Sequence, residues 1–165
     1  MTKRKIAVVG SRTFPLPAVI WDGLDLETKA DAAAAGRALV ADFISKLSPS
    51  QHVVVSGGAR GVDAWAEEFA AERGIEVVSI KPNWKKYGKS AGFKRNREIV
   101  EAADDVVAFW DGQSRGTLDT LRKAHKAQKP YAMFGPDGEI KLAVTEEVYK
   151  TAEGTSPAFH IPQGS

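Results

Sequence analysis

The chain has 165 residues, 43% hydrophobic and 27% charged, the balance of a folded globular protein rather than a disordered one. A formal net charge of +2 is too small to imply a nucleic-acid partner by itself, and the absence of cysteine excludes disulfides and thiolate metal sites. No apolar run approaches the roughly 20 residues that span a bilayer, so no membrane association is expected.

Met1 to Lys5 is basic, and the run Ile6-Ala7-Val8-Val9-Gly10 that follows fits a first buried strand better than a signal peptide. Together with the lack of cysteine, this leads to the expectation of a cytoplasmic protein. Ser11-Arg12-Thr13-Phe14-Pro15 reads as a turn, and residues 15–28, with two prolines and mixed signals, as a loop. From Ala30 to Leu47 the chain is alanine-rich, with Leu39, Val40, Phe43, Ile44 and Leu47 at helical spacing, and Ser48-Pro49 ends that helix. Residues 52–55 form a second strand, followed by a helix from about Val62 to Arg73 with Gly74 as its cap. Ile75 to Ile80 is a third strand. Lys81 to Ala91 is a basic loop, and a helix runs from about Gly92 to Ala103. Val106 to Trp110 is a fourth strand, Gly116 to Gln128 a helix, and Pro130 to Phe134 a fifth strand. Gly135-Pro136-Asp137-Gly138 turns the chain toward a small edge strand at Ile140–Val144.

Strands separated by helices imply crossover connections and a parallel sheet covered on both faces, and Val/Ile runs without alternation are what doubly buried strands look like. The expected fold is therefore α/β: a Rossmann-like open, mostly parallel sheet of about five to six strands with helices on both faces. Residues 1–150 are expected to form one domain and residues 151–165 a C-terminal tail. His52, His125 and His160 lie far apart without ligand spacing, so neither a metal nor a bound cofactor is expected. His125, on a lysine-rich helix, is expected to face solvent, and Trp65, Phe69 and Trp110 to pack in the core.

In such a sheet, ligands bind outside the carboxyl ends of the strands. Those ends carry Gly10-Ser11-Arg12, then Ser56-Gly57-Gly58-Ala59-Arg60-Gly61-Val62-Asp63, then the stretch Pro82 to Asn96, then Asp111-Gly112-Gln113-Ser114-Arg115-Gly116-Thr117. Glycines at a helix start let a backbone approach a phosphate, and the first helical N–H groups are unpaired and point at it. Arg12, Arg60, Arg95 and Arg115 offer bidentate forks to phosphate or carboxylate. Between Lys81 and Arg97 there are seven basic residues and no acidic one, interleaved with Trp84 and Tyr87, whose rings offer stacking faces. The first turn lacks the second and third glycines of G-x-G-x-x-G, which disfavours conventional dinucleotide binding, and no Walker lysine pattern is present. Ser11 and Ser56 have no evident His/Asp pair, which argues against a serine hydrolase.

These segments, with Trp84 to Gly92 and Arg95-Asn96 in order between them, resemble the YspA-like, cpYpsA-related branch of the SLOG superfamily over roughly residues 5 to 134. The resemblance implies a pocket for a nucleotide or an ADP-ribose-like signal. It also implies a range of classes, since relatives include phosphoribohydrolases of the Lonely Guy type, DprA-type proteins that bind single-stranded DNA, and nucleotide sensors. The Lonely Guy signature P-G-G-x-G-T-x-x-E ends in a catalytic glutamate. Thr120 stands in its place here and the leading Pro-Gly-Gly is absent, so glycosidase chemistry is disfavoured while phosphate binding by Gly116-Thr117 is retained. The leading expectation is a nucleotide-binding protein, a sensor, carrier or sequestering module and a homodimer. Its ligand would meet Gly10, Ser11, Arg12, Ser56, Gly57, Gly58, Arg60, Asp63, Trp84, Tyr87, Arg95, Asn96, Ser114, Gly116 and Thr117. An enzyme would have to use Asp63 or Asp119 as its carboxylate. Single-stranded nucleic acid on the Lys81–Arg97 stretch ranks third.

Overall fold

In a computed structural model, residues 2–151 are described; apart from Thr151, the expected tail lies outside them. Six strands, β1 (Arg4–Gly10), β2 (His52–Ser56), β3 (Glu76–Ser79), β4 (Asp105–Phe109), β5 (Tyr131–Phe134) and β6 (Ile140–Val144), form one sheet in the order β3-β2-β1-β4-β5-β6. All neighbours are parallel except β6, which returns antiparallel to β5 and includes a register irregularity at Met133/Phe134. The expected open, mostly parallel α/β sheet is what forms.

Successive residues of a strand face opposite ways, so each central strand feeds two cores. Ile6 and Val8 join Val54, Val107 and Phe109 on one face, under α2 (Leu26–Ser45) and α3 (Val62–Glu72). Ala7 and Val9 join Val55, Val106 and Ala108 on the other, under α5 (Ala91–Ala102) and α6 (Arg115–Lys126). Phe109 anchors the first core: Phe14 meets its ring edge-on at 5.6 Å and Phe134 stacks on it at 4.9 Å. Trp65 and Phe69 pack against that core and Trp110 lies in the other.

Chain order and sheet order together create a switch point. From β1 the chain moves outward through β2 to β3, with α2 and α3 on one face; it then returns to β4 on the other side of β1 and moves outward again, with α5 and α6 on the opposite face. The loops after β1 and β4 therefore diverge, which leaves a crevice at the carboxyl ends of adjacent strands.

Four expectations need correction. Residues 15–28 are not all loop: α1 (Ala18–Trp21) forms there, and α2 begins at Leu26, where the Asp25 side chain accepts the Thr28 N–H at 2.7 Å. Leu26 is 84% exposed, so the helix start carries no buried apolar residue to announce it. The doubly buried pattern holds for β1, β2 and β4 but not for β3, an edge strand that is mostly exposed. His125 is half-buried rather than solvated, its Nδ1 2.9 Å from the Tyr131 hydroxyl and its ring against Tyr149. Finally, Lys81 to Ala91 is not all loop, since a short helix forms at Trp84–Tyr87 and a 3-10 turn at Gly88–Ser90. Beyond β6, α7 (Glu146–Thr151) follows, and Arg4 on β1 reaches both Asp105 at 2.6 Å and Glu146 at 3.3 Å. Among the described residues, no helix is long and apolar enough to cross a membrane.

Candidate functional site

The crevice at the switch point is a cavity of about 540 Å³, walled by the loops after β1, β2 and β4 and by one side of α5. The loops are held to one another by short polar side chains. Ser11, buried after β1, accepts the Asp111 N–H through its Oγ at 3.3 Å, which ties the first loop to the fourth-strand loop. Asp111 folds its own loop by accepting the N–H groups of Gln113 at 2.8 Å and Ser114 at 2.7 Å. Ser114 then caps α6, its Oγ accepting both the Thr117 N–H at 3.4 Å and the Thr117 hydroxyl at 3.1 Å.

The glycine loop after β2 is built differently from a bare phosphate cradle. A side chain at Gly57 would place its Cβ 2.6 Å from Arg95 Nη1 and 2.9 Å from Asp63 Oδ2. The missing Cβ therefore admits the arginine, which donates to the Gly57 carbonyl at 2.6 Å and, through Nε, to Asn96 Oδ1 at 3.0 Å. Gly58 packs against the Lys81 side chain. Gly61, at φ +75°, occupies the left-handed region and lies where a Cβ would strike the Arg12 carbonyl at 2.6 Å. Ser56 is fully buried and internal: its Oγ accepts the Gly58 N–H and donates to the Asp63 carbonyl.

Asp63, the second residue of α3, is 4% exposed and lines the cavity. Its Oδ2 accepts the Ala59 N–H at 3.3 Å, whereas its Oδ1 is buried without a partner among the described residues. Burial pushes its carboxyl up to about 7, against the pull of the Ala59 N–H and the Arg95 charge. Glu67, one turn along, adds like charge and itself has a buried, unpartnered Oε1. Arg95 is pulled below its ordinary value by burial, with Asp63 supporting and Arg12 opposing its charge.

Of the residues expected to meet a ligand, the cavity brings together Gly10, Ser11, Arg12, Arg60, Asp63, Arg95, Asn96, Ser114, Gly116 and Thr117. Ser56, Gly57 and Gly58 stand behind its wall. Trp84 and Tyr87 lie elsewhere, on the short helix α4 (Trp84–Tyr87), which a single 3-10 turn joins to α5. Trp84 is 54% exposed, and Tyr87 lines a separate cavity of about 270 Å³. Asp119 is outside the lining: its carboxylate accepts Asn96 Nδ2 at 3.0 Å and forms an ion pair with Lys123. Sequence reasoning missed Thr13, Ala18, Val19 and Asp22, which the turn and α1 bring to the rim, and Thr120; it placed Asp111 and Gln113 at the carboxyl edge of the sheet without giving either a ligand contact. Asp111 had a legible signal in its Asp-x-x-Ser spacing ahead of a helix; the α1 residues had none, because only tertiary packing carries them over the crevice.

The cavity lining carries three arginines against three aspartates, and two of the arginines are free to meet an anion. Arg12 and Arg60 are exposed at the cavity, and neither has a carboxylate within ion-pair distance among the described residues. The described residues also contain no cluster of three or more His, Asp or Glu side chains suited to a metal ion.

Comparison with known proteins gives a consistent picture. The model of the YspA, cpYpsA-related SLOG family matches residues 37–87. The Gene 61 protein of Mycobacterium phage D29 is 36% identical over 138 residues, covering 80% of this chain and 97% of the phage protein. DNA processing protein A from Streptococcus pneumoniae superposes with a TM-score of 0.52 at 19% identity, over 80% of this chain and 50% of its own. This chain thus spans half the length of the pneumococcal protein. The same protein from Helicobacter pylori, whose structure concerns its single-stranded DNA binding mode, gives 0.53 at 20% identity over 93% of this chain and 74% of that one. At these identities the two structures share the fold.

Proposed function

The chain belongs to the YspA, cpYpsA-related SLOG family, and from that premise we propose that it binds a nucleotide or nucleotide-derived, ADP-ribose-like ligand at the carboxyl edge of its sheet, as a sensor, carrier or sequestering module. The observation that carries this reading is the pairing, in one cavity of about 540 Å³, of the unpartnered Arg12 and Arg60 guanidinium groups with the buried Asp63 carboxyl. Guanidinium forks suit phosphate oxygens, a lone buried carboxyl oxygen suits a ribose hydroxyl or a base N–H, and the volume suits a small molecule.

Melting temperature with AMP, ADP and ADP-ribose tests it. At least one should raise the transition, and Arg12→Ala or Arg60→Ala should weaken the affinity by about tenfold or more, the scale of a charge-assisted hydrogen bond. Both side chains are exposed and unpaired among the described residues, so the ligand-free melting temperature should barely change. No shift with any nucleotide across a broad panel counts against the proposal.

Hydrolysis of a glycosidic bond has less support. The Asp119 carboxylate is engaged by Asn96 and Lys123, and the Thr120 hydroxyl donates to the Gly116 carbonyl at 3.1 Å. Release of free base from nucleoside monophosphates, abolished by Asp63→Asn, would restore it. Single-stranded nucleic acid is a second reading, favoured by Trp84 and Phe93, 54% and 52% exposed on a basic surface. Its mark is an affinity for oligonucleotides that falls steeply with salt.

A further inference from the structure

Arg95 belongs to two cavities at once. On α5, Arg95, Asn96 and Ile99 face the main cavity, while Lys94, Arg95 and Glu98 face the smaller one of about 270 Å³. These are adjacent stripes of one helix, at spacings of three and four residues, and Arg95 is the ridge between them. The glycine loop completes the partition: Gly57 packs on Arg95 and Gly58 on Lys81, whose side chain lines the smaller cavity.

The second lobe is basic and flanked by the Tyr87 ring. Lys81, Lys86 and Lys94 supply ammonium groups beside Arg95, against one carboxylate, Glu98. Lys86 Nζ and Lys94 Nζ lie 5.1 Å and 4.4 Å from the centre of the Tyr87 ring, which fixes both cations at the same wall. None of these three lysines forms an ion pair among the described residues.

Building on the nucleotide reading of the main cavity, we infer that the full ligand is a phosphate-linked dinucleotide, with one phosphate held by Arg12 and Arg60 and the next carried over the Arg95 ridge into the lobe of Lys81, Lys86 and Lys94. A mononucleotide fills only the first lobe. Such a ligand is found both as a free dinucleotide and as the end of a single strand, and the two sources are separated by length: a second lobe of about 270 Å³ has room for one further phosphate-bearing unit.

The test compares dAMP, the 5′-phosphorylated dinucleotide pdApdA, and an oligonucleotide of about ten nucleotides, by calorimetric titration at one salt concentration. The dinucleotide should bind at least about tenfold more tightly than dAMP. Lys86→Gln combined with Lys94→Gln should remove that advantage while dAMP affinity and the ligand-free melting temperature stay as in the wild type. An oligonucleotide binding no better than pdApdA assigns the site to a free dinucleotide; one binding far better assigns it to a strand end. Equal affinity for dAMP and pdApdA, or an equal loss for both in the lysine variant, overturns the two-lobe ligand and leaves the nucleotide reading standing. If neither binds the wild type, the nucleotide reading itself fails and the inference falls with it.

Discussion

Asp63 concentrates the electrostatic tension of the cavity in one group. It is buried, one oxygen has no partner among the described residues, and Glu67 on its own helix, Arg95 on α5 and Arg12 after β1 all act on its charge or its surroundings. Its folded value of about 7 lies above the ordinary 3.8, so the folded chain holds this proton more tightly than the unfolded chain. The corresponding stability is complete below about pH 4 and is lost as pH rises through about 7. A gap of that size corresponds to at most about 4 kcal/mol. Asp63→Asn removes the titration, so its melting temperature should gain on the wild type between about pH 4 and 8 and exceed it at the upper end. A ribose hydroxyl or base N–H donating to the free Asp63 oxygen favours the charged carboxylate, and binding then releases a proton. Nucleotide affinity should therefore rise as pH rises through about 7 in the wild type and stay flat in the Asn variant. Parallel melting curves for the two proteins across that range would refute the assignment of the titration to Asp63.

At the scale of elements, two glycines of similar appearance in the sequence play different parts. Gly57 ends a buried strand and Gly116 opens a helix, and strand-to-helix logic gives both the task of approaching a phosphate. In the fold, Gly57 makes room for the Arg95 guanidinium, whereas a Cβ at Gly116 would meet nothing within 4 Å. The turns, their order and their convergence at one sheet edge were legible, because each rests on a local signal: a Val run, a glycine, a capping serine. Which side of each turn faces the cavity was not, since that depends on a helix docking from elsewhere in the chain. Asn96 shows the same limit, since its amide ties Arg95 to the Gly116 carbonyl and Asp119 and thereby locks α5 to α6. Two substitutions separate the roles. Gly116→Ala fits the helix and should raise ligand-free stability by about 0.5–1 kcal/mol while lowering nucleotide affinity, because the methyl group stands where a phosphate would approach. Gly57→Ala should lower both, as the added Cβ displaces Arg95 from its carbonyl. Denaturant titration with and without AMP reads out both; a Gly116→Ala protein with unaltered affinity would remove α6 from the phosphate site.

Over the whole molecule, the order β3-β2-β1-β4-β5-β6 determines both where a ligand can sit and how firmly its surroundings are held. That order was not legible, because the sequence shows which segments alternate and leaves open which side of β1 each strand joins. The consequence is asymmetric. The main cavity stands over β1 and β4, strands paired on both sides and buried on both faces. The second lobe begins with Lys81, just past β3, an edge strand paired only to β2 and largely exposed. Amide exchange reports this difference, since core strands open only with global unfolding and edge strands open locally. The amides of Val8, Val55 and Val107 should exchange at the slowest, global rate, and those of Val77 and Val78 faster by about 100-fold or more. A ligand confined to the main cavity leaves that contrast as it is. One that crosses the Arg95 ridge contacts Lys81 and restrains the chain leaving β3, so pdApdA should slow exchange at Val77 and Val78 where dAMP does not. Equal protection of β3 by both ligands would mean that the edge strand responds to the main cavity alone, and that the second lobe is empty in the complex.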